Sequence, residues 1–177
     1  MKPPVVGGVV ALAVVLIDQI VKAGVLAYSA GSDVEPKPLT PFLDLALRWN
    51  RGISFSLFAR DSALGQIVLV ALTLAVTGLL TVWLFRSRSS LPAVGLGLII
   101  GGALGNAIDR VAHSAVVDYL DLHAFGRHLF VFNVADAAIN IGVALLILDL
   151  LLAPRAPKSQ NQGSAPLCKR EIGSGRD

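Results

Sequence analysis

The chain has 177 residues, 54% of them apolar and only 15% charged, and a net charge of +3. So little charge does not cover the surface of a water-soluble domain of this length. The basic residues gather beside apolar segments, which excludes a nucleic-acid-binding face and fits one polytopic membrane domain.

A bilayer-crossing helix needs about 20 mainly apolar residues. Four stretches qualify, at about 5–28, 64–85, 91–111 and 129–152. The first follows Lys2 in the manner of a signal peptide, but it is long and three more spans follow, so it is read as an uncleaved first span. It carries Asp18 and Lys22, a spacing that suits an ion pair on one helix face.

Residues 29–62 form the longer extramembrane segment. Within it, Leu43, Leu45, Leu47 and Trp49 alternate with Asp44, Ala46 and Arg48. After the Asn50-Arg51-Gly52 turn, Ile53, Phe55 and Leu57 alternate with Ser54 and Ser56. Period-two alternation on both sides of an Asn-x-Gly turn predicts a β-hairpin.

The second span carries no charged residue and leads into the short loop "RSRSS". The third ends in "GGALGNAIDR", which places Asn106, Asp109 and Arg110 at one end, with Gly101, Gly102 and Gly105 open to close helix approach. Residues 112–128 read as the link to span four and contain "VVDYLD", with Asp118. His113, His123 and His128 show no metal-site spacing and are taken as loop histidines; no metal is expected. Span four opens on "FNVADAAIN", where Asn133, Asp136 and Asn140 share one face. Asp136 would lie about 10 Å along a helix that starts near Leu129.

Lys and Arg in the short flanks set orientation. Lys2, Arg86, Arg88, Arg155, Lys158, Lys169, Arg170 and Arg176 fall on one side, which makes that side and both termini cytoplasmic. The domain runs to about residue 153, and the Pro/Ser/Gly-rich tail 154–177, with the lone Cys168, reads as disordered. One cysteine permits no disulfide within the chain.

An aspartate at mid-bilayer costs about 2.5–3.5 kcal/mol, so such residues face a bundle interior or a wet cavity. Here the polar residues of three spans and a loop fall at one depth near the exterior face. Asp18–Lys22 and Asp109–Arg110 can neutralise each other, and Asn140 suits a hydrogen bond to a neighbouring helix. Asp136 has no basic residue at helical spacing in its own span, and Asp118 follows an apolar run. Two carboxyls brought together share a proton, one acting as base towards water and the other as acid. Asn106 and Asn133 could orient a carboxylate or bond an intermediate. A Ser/Lys dyad of Lys22 with Ser54 or Ser56 is not forced by any spacing. A channel would carry ionisable residues through the inner halves of the spans as well, and those are almost wholly apolar.

These motifs resemble a known family. "DQIVK" (18–22), "NRGISF" (50–55), "GGALGNAIDR" (101–110), "VVDYL" (116–120) and "FNVAD" (132–136) are similar, in order, to those of the lipoprotein signal peptidases, or signal peptidase II. The resemblance covers about residues 5–153 and implies an all-α polytopic membrane fold, four transmembrane helices with a small exterior β-cradle. It implies a catalytic dyad of Asp118 and Asp136 near the exterior face of the bacterial cytoplasmic membrane. Asp18, Lys22, Asn50, Gly52, Asn106, Asp109, Arg110, Asn133 and Ala135 would support the site or touch substrate. It further implies no metal or other cofactor, cleavage of prolipoproteins just before a diacylglyceryl-cysteine, and inhibition by globomycin. Ile53 and Ser54 stand where the family pattern has two small residues. With no soluble assembly surface evident, a monomer among membrane lipids is expected.

Overall fold

In a computed structural model, residues 1–29, 36–52, 63–124 and 127–152 are described. Four helices are long and apolar enough to cross a membrane: α1 (Pro3–Ser29), α2 (Ala63–Arg86), α3 (Ser90–His113) and α4 (Val134–Leu152). Between α1 and α2 lie strands β1 (Lys37–Thr40) and β2 (Leu43–Asn50). Between α3 and α4 lie β3 (Val116–Ala124) and β4 (Arg127–Phe132). All four strands join one antiparallel sheet in the order β1-β2-β3-β4. Both connections that carry strands therefore sit at the same end of the bundle, and the short α2–α3 link, with Arg88, sits at the other.

Helix α3 is the hub, packed against α1, α2 and α4. Its glycines make this possible. A side chain on Gly102 would run into the Ala135 carbonyl and Ile139 of α4, so only glycine lets the two backbones meet there. Helix α1 buries Gly7, Ala11, Val14, Asp18 and Lys22, a single stripe at helical spacing. Its remaining faces, like most of α2, expose large apolar residues such as Leu12, Ile20, Ile67 and Leu79, as lipid contact demands. Ala11, Leu84, Ala93, Leu96 and Ile100 form the core within the bundle. A second cluster, Leu47, Val117 and Tyr119 against Val21, Val25, Leu26 and Trp49, seats the sheet on the end of α1.

The first arm of the expected hairpin is strand β2. Strand β2 pairs with β1 and β3; the expected second arm, residues 53–57, lies outside the described residues, as do Ile53 and Ser54 and the tail 154–177. The segment 112–128 is no plain linker, because β3 and the start of β4 occupy it. Residues 129–132 belong to β4 rather than to span four. The apolar run "LFVF" continues the hydrophobicity of the helix, but its strand pairing (Leu120 with Phe132, Leu122 with Phe130) claims it, and the helix starts only after Asn133. Nor are the histidines loop residues. His113 ends α3, whereas His123 and His128 sit in β3 and β4, where they bond Asp44 at 3.0 Å and Asp121 at 2.7 Å.

Candidate active site

Helix α4 begins at the sheet, and its first turn organises the site. The leading N–H groups of a helix lack partners within it. Here each finds one. The Asn133 side-chain oxygen accepts the Asp136 N–H at 2.9 Å, and Asp136 Oδ2 accepts the Asn133 N–H at 3.3 Å, a reciprocal capping box. Val134 N–H reaches the Tyr119 hydroxyl at 3.4 Å. Ala135 N–H donates at 3.0 Å to Asp18 of α1. The polar residues of "FNVAD" thus start the helix, and the start of the helix fixes the Asp136 carboxylate.

Asp118 is brought beside it by β3. Val117 N–H, one residue earlier, donates to Asp109 Oδ2 at 3.1 Å, which ties the start of β3 to the end of α3. Asp118 Oδ1 accepts from Asn133 Nδ2 at 2.7 Å and Oδ2 from Asn50 Nδ2 at 3.0 Å. The Asn50 oxygen in turn accepts the Gly52 N–H at 3.1 Å. Gly52 has φ +111°, a backbone state that a side chain would strain. Asn133 therefore holds both aspartates, Asp118 through its side chain and Asp136 through its backbone.

Beneath them lies a buried charge network. Lys22 Nζ stands 2.8 Å from Asp18 Oδ2 and 2.7 Å from Asp109 Oδ2, with all three side chains essentially inaccessible. Lys22 also donates to Asn106 Oδ1 at 3.1 Å. An ammonium only donates, so this contact decides which way the Asn106 amide faces. Its oxygen turns to Lys22 and to Asn133 Nδ2 (3.1 Å), and its nitrogen donates to Asp136 Oδ1 at 2.8 Å. The orientation of Asn133 is fixed by the same logic, since its oxygen already accepts a backbone N–H. Arg110 does not pair with Asp109 as the spacing suggests. Its Nη1 bonds the Asn106 carbonyl at 3.3 Å, its buried Nε has no hydrogen-bond partner among the described residues, and its charge lies within reach of Asp136, Asp118 and Asp109.

Burial pushes the Asp118 carboxyl up to about 6, and the neighbouring Asp136 charge pushes the same way, while the Asn50 and Asn133 hydrogen bonds hold it back. A carboxyl so placed exchanges its proton near neutral pH, which suits acid–base work.

All eleven residues expected at the site meet in this one network: Asp18, Lys22, Asn50, Gly52, Asn106, Asp109, Arg110, Asp118, Asn133, Ala135 and Asp136. Asn140 does not fit its expectation, because it is exposed on the outside of α4 and bonds no neighbouring helix among the described residues. Sequence reasoning missed two contributors. Gln19 donates to Asp18 (3.2 Å), Asp109 (3.0 Å) and the Gly105 carbonyl (3.3 Å). Tyr119 receives the first N–H of α4. Gln19 could have been found, because it stands inside "DQIVK" next to Asp18; Tyr119 carries no such signal.

The family model described as Signal peptidase (SPase) II matches residues 10–152. The chain belongs to the signal peptidase II family. The lipoprotein signal peptidase of Methylorubrum extorquens (strain PA1) is 49% identical over 162 residues, covering 89% of this chain and 93% of that protein. That of Beijerinckia indica subsp. indica is 46% identical over 165 residues, covering 92% and 99%. Among solved structures, a bacterial membrane enzyme obtained by the in meso method at 1.9 Å superposes with a TM-score of 0.71 at 28% identity, covering 84% of this chain and 94% of that one. A second, at 2.3 Å, gives 0.68 at 29% identity, covering 82% and 87%. A signal peptidase of this family is a multi-pass membrane hydrolase, in keeping with the four spans.

Proposed function

We propose that this chain removes signal peptides from diacylglyceryl-modified prolipoproteins, cutting just before the lipidated cysteine, by an aspartic mechanism that uses Asp118 and Asp136. Cleavage of prolipoprotein signal peptides is the work of its family. The aspartic chemistry rests on one observation above all: Asn133 holds two carboxyl groups at one sheet–helix junction.

Asp136 accepts N–H groups on both oxygens at a helix N-terminus, an arrangement that suits a base. It takes a proton from water, and the hydroxide oxygen attacks the scissile carbonyl. Asp118, raised towards neutrality by burial, carries the shared proton and delivers it to the carbonyl oxygen as the tetrahedral intermediate forms. On collapse of that intermediate Asp136 gives its proton to the departing amino group of the cysteine, Asp118 takes one back from a hydroxyl of the intermediate as the new carboxyl forms, and the dyad returns to a single shared proton. Arg110 places a fixed positive charge beside both aspartates, where charge develops on the substrate oxygen. Lys22, Asp18, Asp109 and Asn106 keep the pair in register and do not touch substrate. By the charge asymmetry of the flanks, the sheet and dyad face the cell exterior and both termini are cytoplasmic. A scissile bond beside a lipidated cysteine is held at that interface by its acyl chains. The protein acts as a monomer and binds globomycin at this site.

The test is cleavage of a diacylglyceryl-modified prolipoprotein by purified protein with a chelator present. Wild type cuts, while Asp118→Asn and Asp136→Asn insert and fold but do not. Near wild-type turnover by either variant overturns the dyad.

A further inference from the structure

Two polar residues of α4 stand outside the network, Asp149 near the far end of the helix and Asn140 close to the site. Asn140 lies one turn, about 6 Å, deeper than Asp136 on the same side of the helix. Helix α4 turns Ala135, Ala138 and Gly142 to the bundle; Asn140 points almost the opposite way and is exposed. Below it on that side run Val143 and Ile147, also exposed. An amide facing hydrocarbon with no partner is costly, whereas any apolar side chain would sit there freely.

The position matches a need of the substrate. On the reading above, an apolar signal helix crosses the same bilayer and ends just before the scissile bond. Its last four carbonyls have no partner within that helix, and the bond itself must leave the helix to lie extended between Asp118 and Asp136. Those carbonyls then fall about one turn below the dyad, inside the membrane boundary, where water is scarce. An amide N–H₂ at that depth, beside the cleavage site, supplies the missing donors. The exposed neighbours Ile141, Val143 and Ile147 offer none.

We infer that Asn140 is a substrate-positioning residue whose amide caps the C-terminal carbonyls of the bound signal helix. This rests on the peptidase reading of the site and goes beyond it. Asn140 is not part of the dyad or of the network beneath it.

The experiment measures KM and kcat of Asn140→Leu and Asn140→Ser on a diacylglyceryl-modified prolipoprotein, together with thermal unfolding of each variant. Leucine removes the donor, so KM rises about fivefold, the worth of one hydrogen bond, with kcat changed by less than about twofold. Serine keeps a donor and stays close to wild type. Neither variant melts below wild type, because no internal contact is lost. The inference is overturned if Asn140→Leu keeps the wild-type KM, if it loses kcat instead, or if it unfolds markedly earlier. Failure here with Asp118→Asn still inactive leaves the peptidase reading intact. A wild type that does not cut lipidated substrate removes both.

Discussion

Lys22→Met is the sharpest test of how the site is held. Methionine keeps the length of the side chain and removes its charge. Asp18 Oδ2 at 2.8 Å and Asp109 Oδ2 at 2.7 Å then face each other without a cation, in a place where the lysine itself is only 2% exposed. Breaking one partner out of a buried ion pair costs about 3–5 kcal/mol, and two stranded carboxylates place the loss at the upper end. In a chain of this size each kcal/mol lowers the melting temperature by about 2–4 °C, so a drop of about 10–20 °C is expected. Unfolding in detergent, followed by the fluorescence of Trp49 and Trp83, measures it. The same substitution takes away one of the two donors to the Asn106 oxygen and leaves only the Asn133 bond, and turnover falls because the amide is held less firmly towards Asp136. Asp18→Asn/Lys22→Met/Asp109→Asn replaces the whole set with neutral groups whose oxygens can still accept the Ala135 and Val117 N–H bonds, and it regains most of the lost stability. If Lys22→Met melts within about 2 °C of wild type, or the triple variant is no better than the single, the account of a buried compensating cation is wrong.

Other outcomes follow from the same geometry. Asn50→Ala removes a hydrogen bond that favours the Asp118 anion; the carboxyl then keeps its proton to higher pH, so the alkaline limb of kcat/KM moves up from about 6, and a downward move refutes the assignment. Asn133→Ala strips the helix cap and its bond to Asp118 together, which costs about 1–2 kcal/mol of stability and abolishes cleavage; full activity in this variant would count against the junction as the organising element. Gly102→Ala drives a methyl into the Ala135 carbonyl, with a loss of about 1–3 kcal/mol and reduced turnover. Gly8→Ala meets nothing within 4 Å, so it leaves turnover unchanged and does not lower the melting temperature, which a parallel melting and cleavage series checks.

Much of this protein is legible in its residues. Four apolar runs of membrane-spanning length leave few structural options, because lipid cannot satisfy backbone groups and helices satisfy their own. The costly polar residues inside those runs mark the site: Asp18, Lys22, Asn106, Asp109, Asn133 and Asp136 have to face protein or a wet cavity. What tertiary structure alone decides is which of them pair. Adjacent in sequence, Asp109 and Arg110 look like partners, yet the crossing of α1 over α3 gives Asp109 to Lys22, 87 positions away. The exterior sheet is half visible. Period-two alternation predicts the strand 43–50, but strand pairing is set by partners distant in sequence, and an apolar run such as 129–132 reads equally well as helix until β3 lies beside it. Asn140 makes the same point from the other side. Helical spacing by itself places it on the face of Asp136; only the packing of α4 on α3, through Ala135, Ala138 and Gly142, shows that this face has turned outward by the depth of Asn140.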